Sequence, residues 1–236
     1  MYGLLRHLLS IVLCAVALAA PLQVVTENWR PYNYEENGVV KGQSTDIVRL
    51  VLDRSGLPYT IDVLPWARAY QYATTKPDVL IYTIIRIPPR EGLFKWIGPL
   101  GPSGTTSLYR RRDDKAPPPR TLDEAKQLDV VTNRDSMDHQ MLEHLHFPNI
   151  TVAPSVESAI KMFFAQRTRM IAVDDAVLGS EFEAAGFHAE GAVAIMPLFK
   201  TPPYLAVSKQ TSDETVRRIR DAYEALVREG KIGAFE

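Results

Sequence analysis

The feature that most constrains the fold of this chain is a regular alternation of short strand-like runs with longer helix-like runs, beginning at Leu22. Asp46 to Arg54 has apolar residues at helical spacing and is followed by Gly56, a typical helix stop. The predicted elements of this first segment are strand 23–26, helix 46–54, strand 59–64, helix 66–73 and strand 79–83. This order predicts an α/β fold, because parallel neighbours in a sheet need a crossover, which is usually a helix.

A second alternation follows an irregular stretch, 86–102, which is rich in proline and glycine and surrounds a short strand at 94–97. The predicted elements after it are strand 106–112, a helix that begins at the capping box 121–124, strand 129–132, helix 136–145, strand 150–152, helix 156–166, strand 170–173, helix 176–185, strands 193–198 and 205–208, and helix 213–228.

Two such alternations predict two α/β lobes. We expect extended crossings between them near Ser107 to Arg110 and Tyr204 to Ser208, with the last helix returning to the first lobe. The expected division is 20–106 and 205–236 for the first lobe and 107–204 for the second. In open α/β sheets ligands bind beyond the carboxyl ends of the strands, which here means the cleft between the lobes.

The first nineteen residues have the order of a secretory signal. Arg6 and His7 precede an uncharged apolar stretch, and Ala17-Leu18-Ala19 resembles a cleavage site before Ala20. An uncleaved anchor or a hydrophobic N-terminal helix are the alternatives. Cys14, the only cysteine, would leave with a cleaved signal, and Leu13 before it disfavours a lipid-modified cysteine. We therefore expect a periplasmic protein without a thiol and without membrane insertion after cleavage.

Charge and motifs exclude several classes of function. The chain has 27 basic and 28 acidic residues, so no global field attracts nucleic acid. A hydrophobic content of 46% is that of a globular protein. The motifs G-x-S-x-G, G-x4-G-K-[ST] and H-E-x-x-H are absent, and the histidines have no metal-ligand spacing. We expect no cofactor, no metal and a small-molecule partner.

Several blocks in the same order resemble one known family. They are Val24 to Tyr34 with Gly38, Gly42 and Asp46-Ile47, then Leu64 to Ala69, Arg86 to Glu91, Phe94 to Leu100 and Val173 to Asp175. The chain resembles the bacterial extracellular solute-binding proteins of family 3, the polar amino acid receptors of ABC importers. The resemblance implies a two-lobed, type II periplasmic-binding-protein-like fold that closes on a ligand.

The resemblance also implies the main binding residues. Trp29 would cover the ligand, Arg90 would bind its carboxylate and Asp174 its ammonium group. A guanidinium offers parallel donors to a carboxylate, and an aromatic face accepts both apolar groups and cations. A residue that only packs is the alternative at each position. The other expected ligand-binding residues are Tyr32, Thr83, Arg86 and Trp66.

Two positions depart from the family pattern. Thr132 to Ser136 replaces the usual Gly-Thr or Gly-Ser loop of the second lobe, and Arg169 replaces an Asp. With Arg86 and Arg134 as additional cations, these changes favour a zwitterionic or more anionic solute, an amino acid or related compound. We expect a monomer that delivers this solute to an ABC permease. The alternatives are a ligand-sensing accessory domain, or a dehydratase-like enzyme that uses Glu27 or Asp174 as acid or base.

Overall fold

The computed structural model describes residues 21–235, so the expected signal segment lies outside the described residues. The strands are β1 (Leu22–Thr26), β2 (Tyr34–Glu36), β3 (Val39–Lys41), β4 (Tyr59–Val63), β5 (Val79–Ile85), β6 (Phe94–Pro99), β7 (Gly104–Arg111), β8 (Val130–Asn133), β9 (Ile150–Ala153), β10 (Met170–Asp174), β11 (Ala192–Thr201) and β12 (Pro203–Ser208). The helices are α1 (Gln43–Ser55), α2 (Trp66–Thr75), α3 (Leu122–Lys126), α4 (Met137–His144), α5 (Val156–Phe164), α6 (Leu178–Ala184) and α7 (Asp213–Arg228), with short 3-10 turns at Pro88–Arg90 and Ala189–Gly191.

The first sheet has the strand order β4-β1-β5-β12-β6. Strand β1 is parallel to β4 and β5, whereas β12 runs antiparallel between β5 and β6. Helices α1 and α7 cover one face, where Leu52 and Ile219 pack on Leu80. Helix α2 covers the other face through Ala69 and Ala73. Burial on both faces explains why β5 is apolar almost throughout.

The second sheet has the strand order β11-β7-β10-β8-β9. Strands β8, β9 and β10 are parallel, and β7 runs antiparallel to β10 and β11. Phe163 and Phe182, from α5 and α6, are fully buried on one face. Leu142 of α4 packs on the other face. Each sheet therefore has its own core, as the two alternations predicted.

The chain passes between the sheets at 100–103, after β6, and at Pro202, between β11 and β12. The expected crossings near Ser107 to Arg110 and Tyr204 to Ser208 are therefore misplaced by a few residues. Those residues lie inside β7 of the second sheet and β12 of the first. An extended crossing and a strand within a sheet have the same sequence signature, so periodicity alone does not separate them.

Most predicted helices and strands are present, and the differences between the predicted and observed elements have local causes. The hairpin of β2 and β3 was not predicted, because its strands are short and Asn37-Gly38 turns between mostly polar residues. Helix α6 begins at Leu178 rather than Ala176, since Asp174 Oδ1 accepts the Ala176 N–H at 2.8 Å and holds a turn there. No helix within 21–235 has the length and apolar character needed to cross a bilayer.

Candidate ligand-binding site

A cavity of about 310 Å³ lies between the two sheets and is lined by residues from both. On the side of the first sheet, the lining comes from the segment after β1, from β5 and from the start of α2. On the opposite side it comes from the ends of β8 and β10 and from the first turns of α4, α5 and α6. The cavity is therefore at the carboxyl ends of the parallel strands, as the fold predicts.

Trp29 is held at the cavity by a compact loop. Its N–H donates to Asn33 O at 2.6 Å, and Tyr32 packs edge-on against its ring with centroids 5.2 Å apart. The Tyr32 carbonyl accepts the Ser44 N–H at the start of α1. Gly42 is required beside it, because a Cβ there would lie 2.3 Å from Tyr32 O. The N-terminus of α1 thus fixes the loop that carries the indole.

Thr83 reaches the cavity through a bulge in β5. Tyr204 pairs with Ile84 and Leu205 with Tyr82, so Thr83 has no partner in the adjacent strand. Its φ is 58°, which is rare for a β-branched residue and is typical of bulges beside functional sites. Its hydroxyl is buried and has no hydrogen-bond partner among the described residues. A polar group in this state is available to a ligand.

Arg90 is 1% exposed and lies between the two lobes. Its Nε donates to Gln140 Oε1 of α4 at 2.7 Å, its Nη1 to Ile85 O at 3.3 Å, and its Nη2 to Asp135 O at 3.5 Å. The guanidinium also lies over the ring of Trp66, 5.1 Å from its centroid. Three N–H groups are therefore already directed at protein oxygens.

Asp174 ends β10 and faces the cavity. Its Oδ2 would lie 2.8 Å from a Cβ at position 104, so Gly104 leaves room for this carboxylate. Burial raises its pKa, against the opposing effect of the Ala176 N–H bond. The neighbouring Asp175 accepts a hydrogen bond from the Tyr109 hydroxyl at 2.9 Å, whereas Asp174 Oδ1 accepts the Ala176 N–H in the turn before α6.

Four further carboxylates around the cavity were not assigned to ligand binding from the sequence. Glu27 follows β1, and the other three lie in the first turns of helices: Asp138 in α4, Glu157 in α5 and Glu181 in α6. Burial raises the pKa of Glu27 to about 7, with Glu181 adding repulsion and Arg90 opposing it. Burial also raises the pKa of Asp138 to about 7, with Asp174 adding repulsion. The sequence signal that could have identified these carboxylates is their position, directly after a strand or in the first turn of the next helix.

The predicted site residues fall into two groups. Trp29, Trp66, Thr83, Arg90 and Asp174 all line the cavity.

Tyr32 and Arg86 are not among the lining residues. Tyr32 packs edge-on against Trp29, and burial together with the charge of Asp174 raises the pKa of its hydroxyl. Arg86 is placed differently from the expectation. Its side chain pairs with Glu91 on a shallow outer surface beside Tyr204. A neighbouring acid on the same loop explains this position.

The two lobes are in direct contact around the cavity. Trp66 Nε1, in the first lobe, donates to Asp135 O of the second at 2.7 Å. Ile85 and Ile87 pack on Met141 of α4 beside these hydrogen bonds. The structure therefore represents a closed arrangement. Within 21–235, no group of three or more His, Cys, Asp and Glu side chains is placed to hold a metal ion.

Solved structures with this architecture belong to several proteins. A histidine kinase sensor domain with similarity to periplasmic binding proteins has a TM-score of 0.74 at 16% identity, covering 91% of this chain and 93% of that one. An ancestral arginine-binding protein bound to arginine gives 0.71 at 16%, with 90% and 95% covered. The arginine-, lysine-, histidine-binding protein ArtJ of Geobacillus stearothermophilus gives 0.70 at 15%, with 90% and 91% covered.

These likenesses show the fold, which is that of two-lobed, type II periplasmic binding proteins. A comparison with curated proteins gave no match. The family model of the bacterial extracellular solute-binding proteins, family 3, matches residues 22–236, which is almost the whole chain. The resemblance seen in the sequence is thereby confirmed, and the chain belongs to family 3 of the bacterial extracellular solute-binding proteins.

Proposed function

We propose that this protein is a periplasmic receptor that captures a small, positively charged solute between its lobes and delivers it to an ABC importer. The observation that carries the proposal is the charge of the cavity. Its acidic lining residues are Glu27, Asp138, Glu157, Asp174 and Glu181, and Arg90 is the one basic residue among the described lining.

This charge balance favours a cation for a physical reason. Like charges confined in a closing, poorly hydrated cleft raise each other's pKa, and a cation placed between them relieves both repulsion and desolvation. Glu157 is paired with Lys161 at the surface, whereas the other four acids have no Lys or Arg ion pair among the described residues. An anionic solute would add to the repulsion, so the cavity favours a cation over the zwitterionic or more anionic solute expected from the sequence.

The comparisons support a ligand of this charge without identifying it. Two of the similar structures are binding proteins for arginine or for arginine, lysine and histidine. Trp29 adds an aromatic face, which attracts cations and also packs on hydrocarbon chains. A cavity of about 310 Å³ suits a solute of amino acid size.

A thermal-shift panel of cationic, zwitterionic and anionic small molecules tests the proposal. A cation at 100 times its Kd should add about 2.7 kcal/mol of stability, or about 5 to 10 °C in Tm for a chain of this length. Asp174→Asn should reduce the shift, while Asp123→Asn, at an exposed position of the same lobe, should leave it unchanged. Stabilisation by anions alone would contradict the proposal.

A sensory role is the second candidate, because a histidine kinase sensor domain shares the fold at a TM-score of 0.74. Ligand capture would be the same in both roles. The two differ in what the closed protein contacts. Uptake of radiolabelled ligand by cells that carry or lack the gene distinguishes them, since loss of uptake indicates transport.

An enzymatic role has weaker support, from the pKa of about 7 of Glu27 and Asp138, which would suit a general acid. Mass spectrometry of each stabilising compound after incubation with the protein tests it. Recovery of the unchanged compound supports a receptor, and a new product would indicate an enzyme.

A further inference from the structure

The cavity continues from the cleft into the second lobe. Its lining includes Ala159 of α5 and Ile171 of β10, which are 2% and 1% exposed and belong to the hydrophobic core that β10 forms with α5 and α6. Space that only separated the lobes would be lined by residues on their facing surfaces. The presence of core residues in the lining therefore means that the space extends between β10 and these two helices.

This extension, the second-lobe pocket, is defined by six residues: Val156 and Ala159 of α5, Ile171 and Val173 of β10, Val177, and Glu181 of α6. Helix α5 begins at the cavity, whereas β10 ends there. Ala159 is therefore deeper than Val156 by about 4.5 Å of helix, and Ile171 is deeper than Val173 by about 6.6 Å of strand. A pocket of this depth accepts an extended chain of several methylene groups.

The pocket has apolar walls and a single carboxylate, that of Glu181. The Glu181 side chain is partly buried and makes no hydrogen bond or ion pair with any residue of 21–235. A ligand chain that fills the pocket excludes water from this carboxylate, and an unpaired charge is costly in such a place. A purely hydrocarbon chain would therefore be disfavoured, whereas a chain that carries a cation would pair with Glu181.

Ala159 determines how much of the pocket is open. It is the smallest of the six residues, and it packs in the same core cluster as Ile171 and Val173. A larger side chain at this position would occupy the deep end of the pocket. The space is therefore available to a ligand because position 159 carries only a methyl group.

We propose that the second-lobe pocket selects the side chain of the ligand: an alkyl chain enters along Val173 as far as Ala159, and a cationic group on this chain pairs with Glu181. This inference rests on the proposed function and deepens it, because it assigns the specificity of the receptor to Ala159 and Glu181. The other end of the ligand stays in the cleft, where Arg90 and Asp174 are expected to bind a carboxylate and an ammonium group.

Matched pairs that differ in the charge of the side chain test the role of Glu181. Calorimetric titrations of the purified protein would compare lysine with norleucine and arginine with citrulline. In at least one pair the cationic compound should bind at least about tenfold more tightly. Glu181→Gln should reduce this preference to about threefold or less, because the variant removes the charge that pairs with the cation. Glu183→Gln, at an exposed position of the same helix, should retain it.

The outcomes separate this inference from the proposed function. A preference that persists in Glu181→Gln would overturn the inference and leave the cation receptor standing. Binding of none of the four compounds, while other cations stabilise the protein, would have the same meaning. Equal binding of the charged and uncharged members of both pairs by the wild type would overturn both proposals.

A series of increasing chain length tests the pocket itself. From 2,4-diaminobutyrate through ornithine to lysine, each added methylene group should tighten binding to the wild type about threefold to fourfold, because it is buried against apolar walls. Ala159→Leu should remove this gain, whereas Ala165→Leu, at an exposed position directly after α5, should keep it. A Tm close to that of the wild type establishes that each variant is folded. The wild-type series decides the matter even if Ala159→Leu does not fold, since an affinity that does not rise with length would overturn the inference.

Discussion

At the residue scale, Thr83 combines two features that are unfavourable in an empty protein. Its backbone is in the left-handed region and its buried hydroxyl has no partner. Each feature costs about 1 to 3 kcal/mol, so the position is better suited to binding than to stability. The bulge in β5 is what turns this residue out of the regular ladder.

We predict opposite effects of Thr83→Val on stability and on binding. Valine has nearly the same shape but removes the unpaired hydroxyl, so the free protein should gain about 1 to 2 kcal/mol in the free energy of unfolding. Ligand affinity should fall about fivefold or more, because a hydrogen bond is lost. Thr83→Ser, which keeps the hydroxyl, should bind nearly as the wild type does. Chemical denaturation and titration measure both effects, and a destabilised Thr83→Val would indicate that the hydroxyl has a partner in the free protein.

Glu27 should make stability depend on pH. Its pKa is raised from 4.5 to about 7 in the folded protein, so the folded state holds the proton more tightly than the unfolded chain. The contribution of Glu27 to stability is therefore fully present below about pH 4.5 and is lost as pH rises to about 7. Burial is the main cause of the raised pKa of Glu27, Glu181 raises this pKa further, and Arg90 lowers it.

We predict that Glu27→Gln stabilises the free protein at pH 8 but not at pH 4. The neutral amide resembles the protonated acid, so the gain should appear between pH 4.5 and 7 and reach about 3 kcal/mol, or about 6 to 12 °C in Tm. Glu35→Gln, an exposed control on the hairpin, should show no such trend. Thermal unfolding across this pH range measures the difference, and a constant difference at all pH values would contradict the assignment.

At the element scale, helix α7 shows how closely the elements are fitted. Its Tyr223 hydroxyl donates to Pro99 O of β6 at 2.7 Å. The ring lies directly over Gly98, where a Cβ would be 2.3 Å from two ring carbons. The C-terminal segment can therefore pack on the first sheet only because position 98 has no side chain.

We predict that Gly98→Ala destabilises the protein by about 1 to 3 kcal/mol through overpacking. The matched control is Gly92→Ala, since a Cβ at position 92 has nothing within 4 Å. Denaturant unfolding should show a lower midpoint for Gly98→Ala and little change for Gly92→Ala. Equal effects would mean that the cost comes from backbone entropy and not from Tyr223.

The elements also show what the sequence could predict. Amphipathic helices such as Asp213–Arg228 and buried strands such as Val79–Ile85 have strong periodicity, and their predictions are confirmed. The β2–β3 hairpin was missed because its strands have only three residues each, which is too short for a periodic pattern. The position of the crossings depends on pairing between distant segments, which periodicity does not report. In the cavity, Trp29, Thr83 and Asp174 line the wall as expected. Asp138 and Glu181 were not predicted, because the sequence does not show that Asp138 lies near Asp174 or that Glu181 comes near Glu27 of the other lobe.

At the scale of the whole molecule, closure depends on contacts that the lobes make directly. Trp66 Nε1 donates to Asp135 O, Arg90 Nε donates to Gln140, and Ile87 and Met141 pack beside them. These contacts are formed only when the lobes meet, so they contribute to the closed state alone. Repulsion between Glu27 of the first lobe and Glu181 of the second opposes these contacts in the empty cleft. Ligand then shifts the balance by its differential affinity for the closed form.

We predict that Trp66→Phe opens the free protein. Phenylalanine keeps an aromatic ring beside Arg90 but loses the hydrogen bond to Asp135 O, which is worth about 0.5 to 1.5 kcal/mol. The radius of gyration without ligand should rise, and at saturation it should return to the wild-type value. Ligand affinity should fall by up to about tenfold, because part of the binding free energy is then used to close the lobes. Trp96→Phe is the matched control, since Trp96 Nε1 also donates to a carbonyl, Glu91 O at 3.1 Å, but within the first lobe. Small-angle scattering of both variants, with and without ligand, measures the radius of gyration. An equal increase in Trp96→Phe would show that the lobes close without help from the Trp66 hydrogen bond.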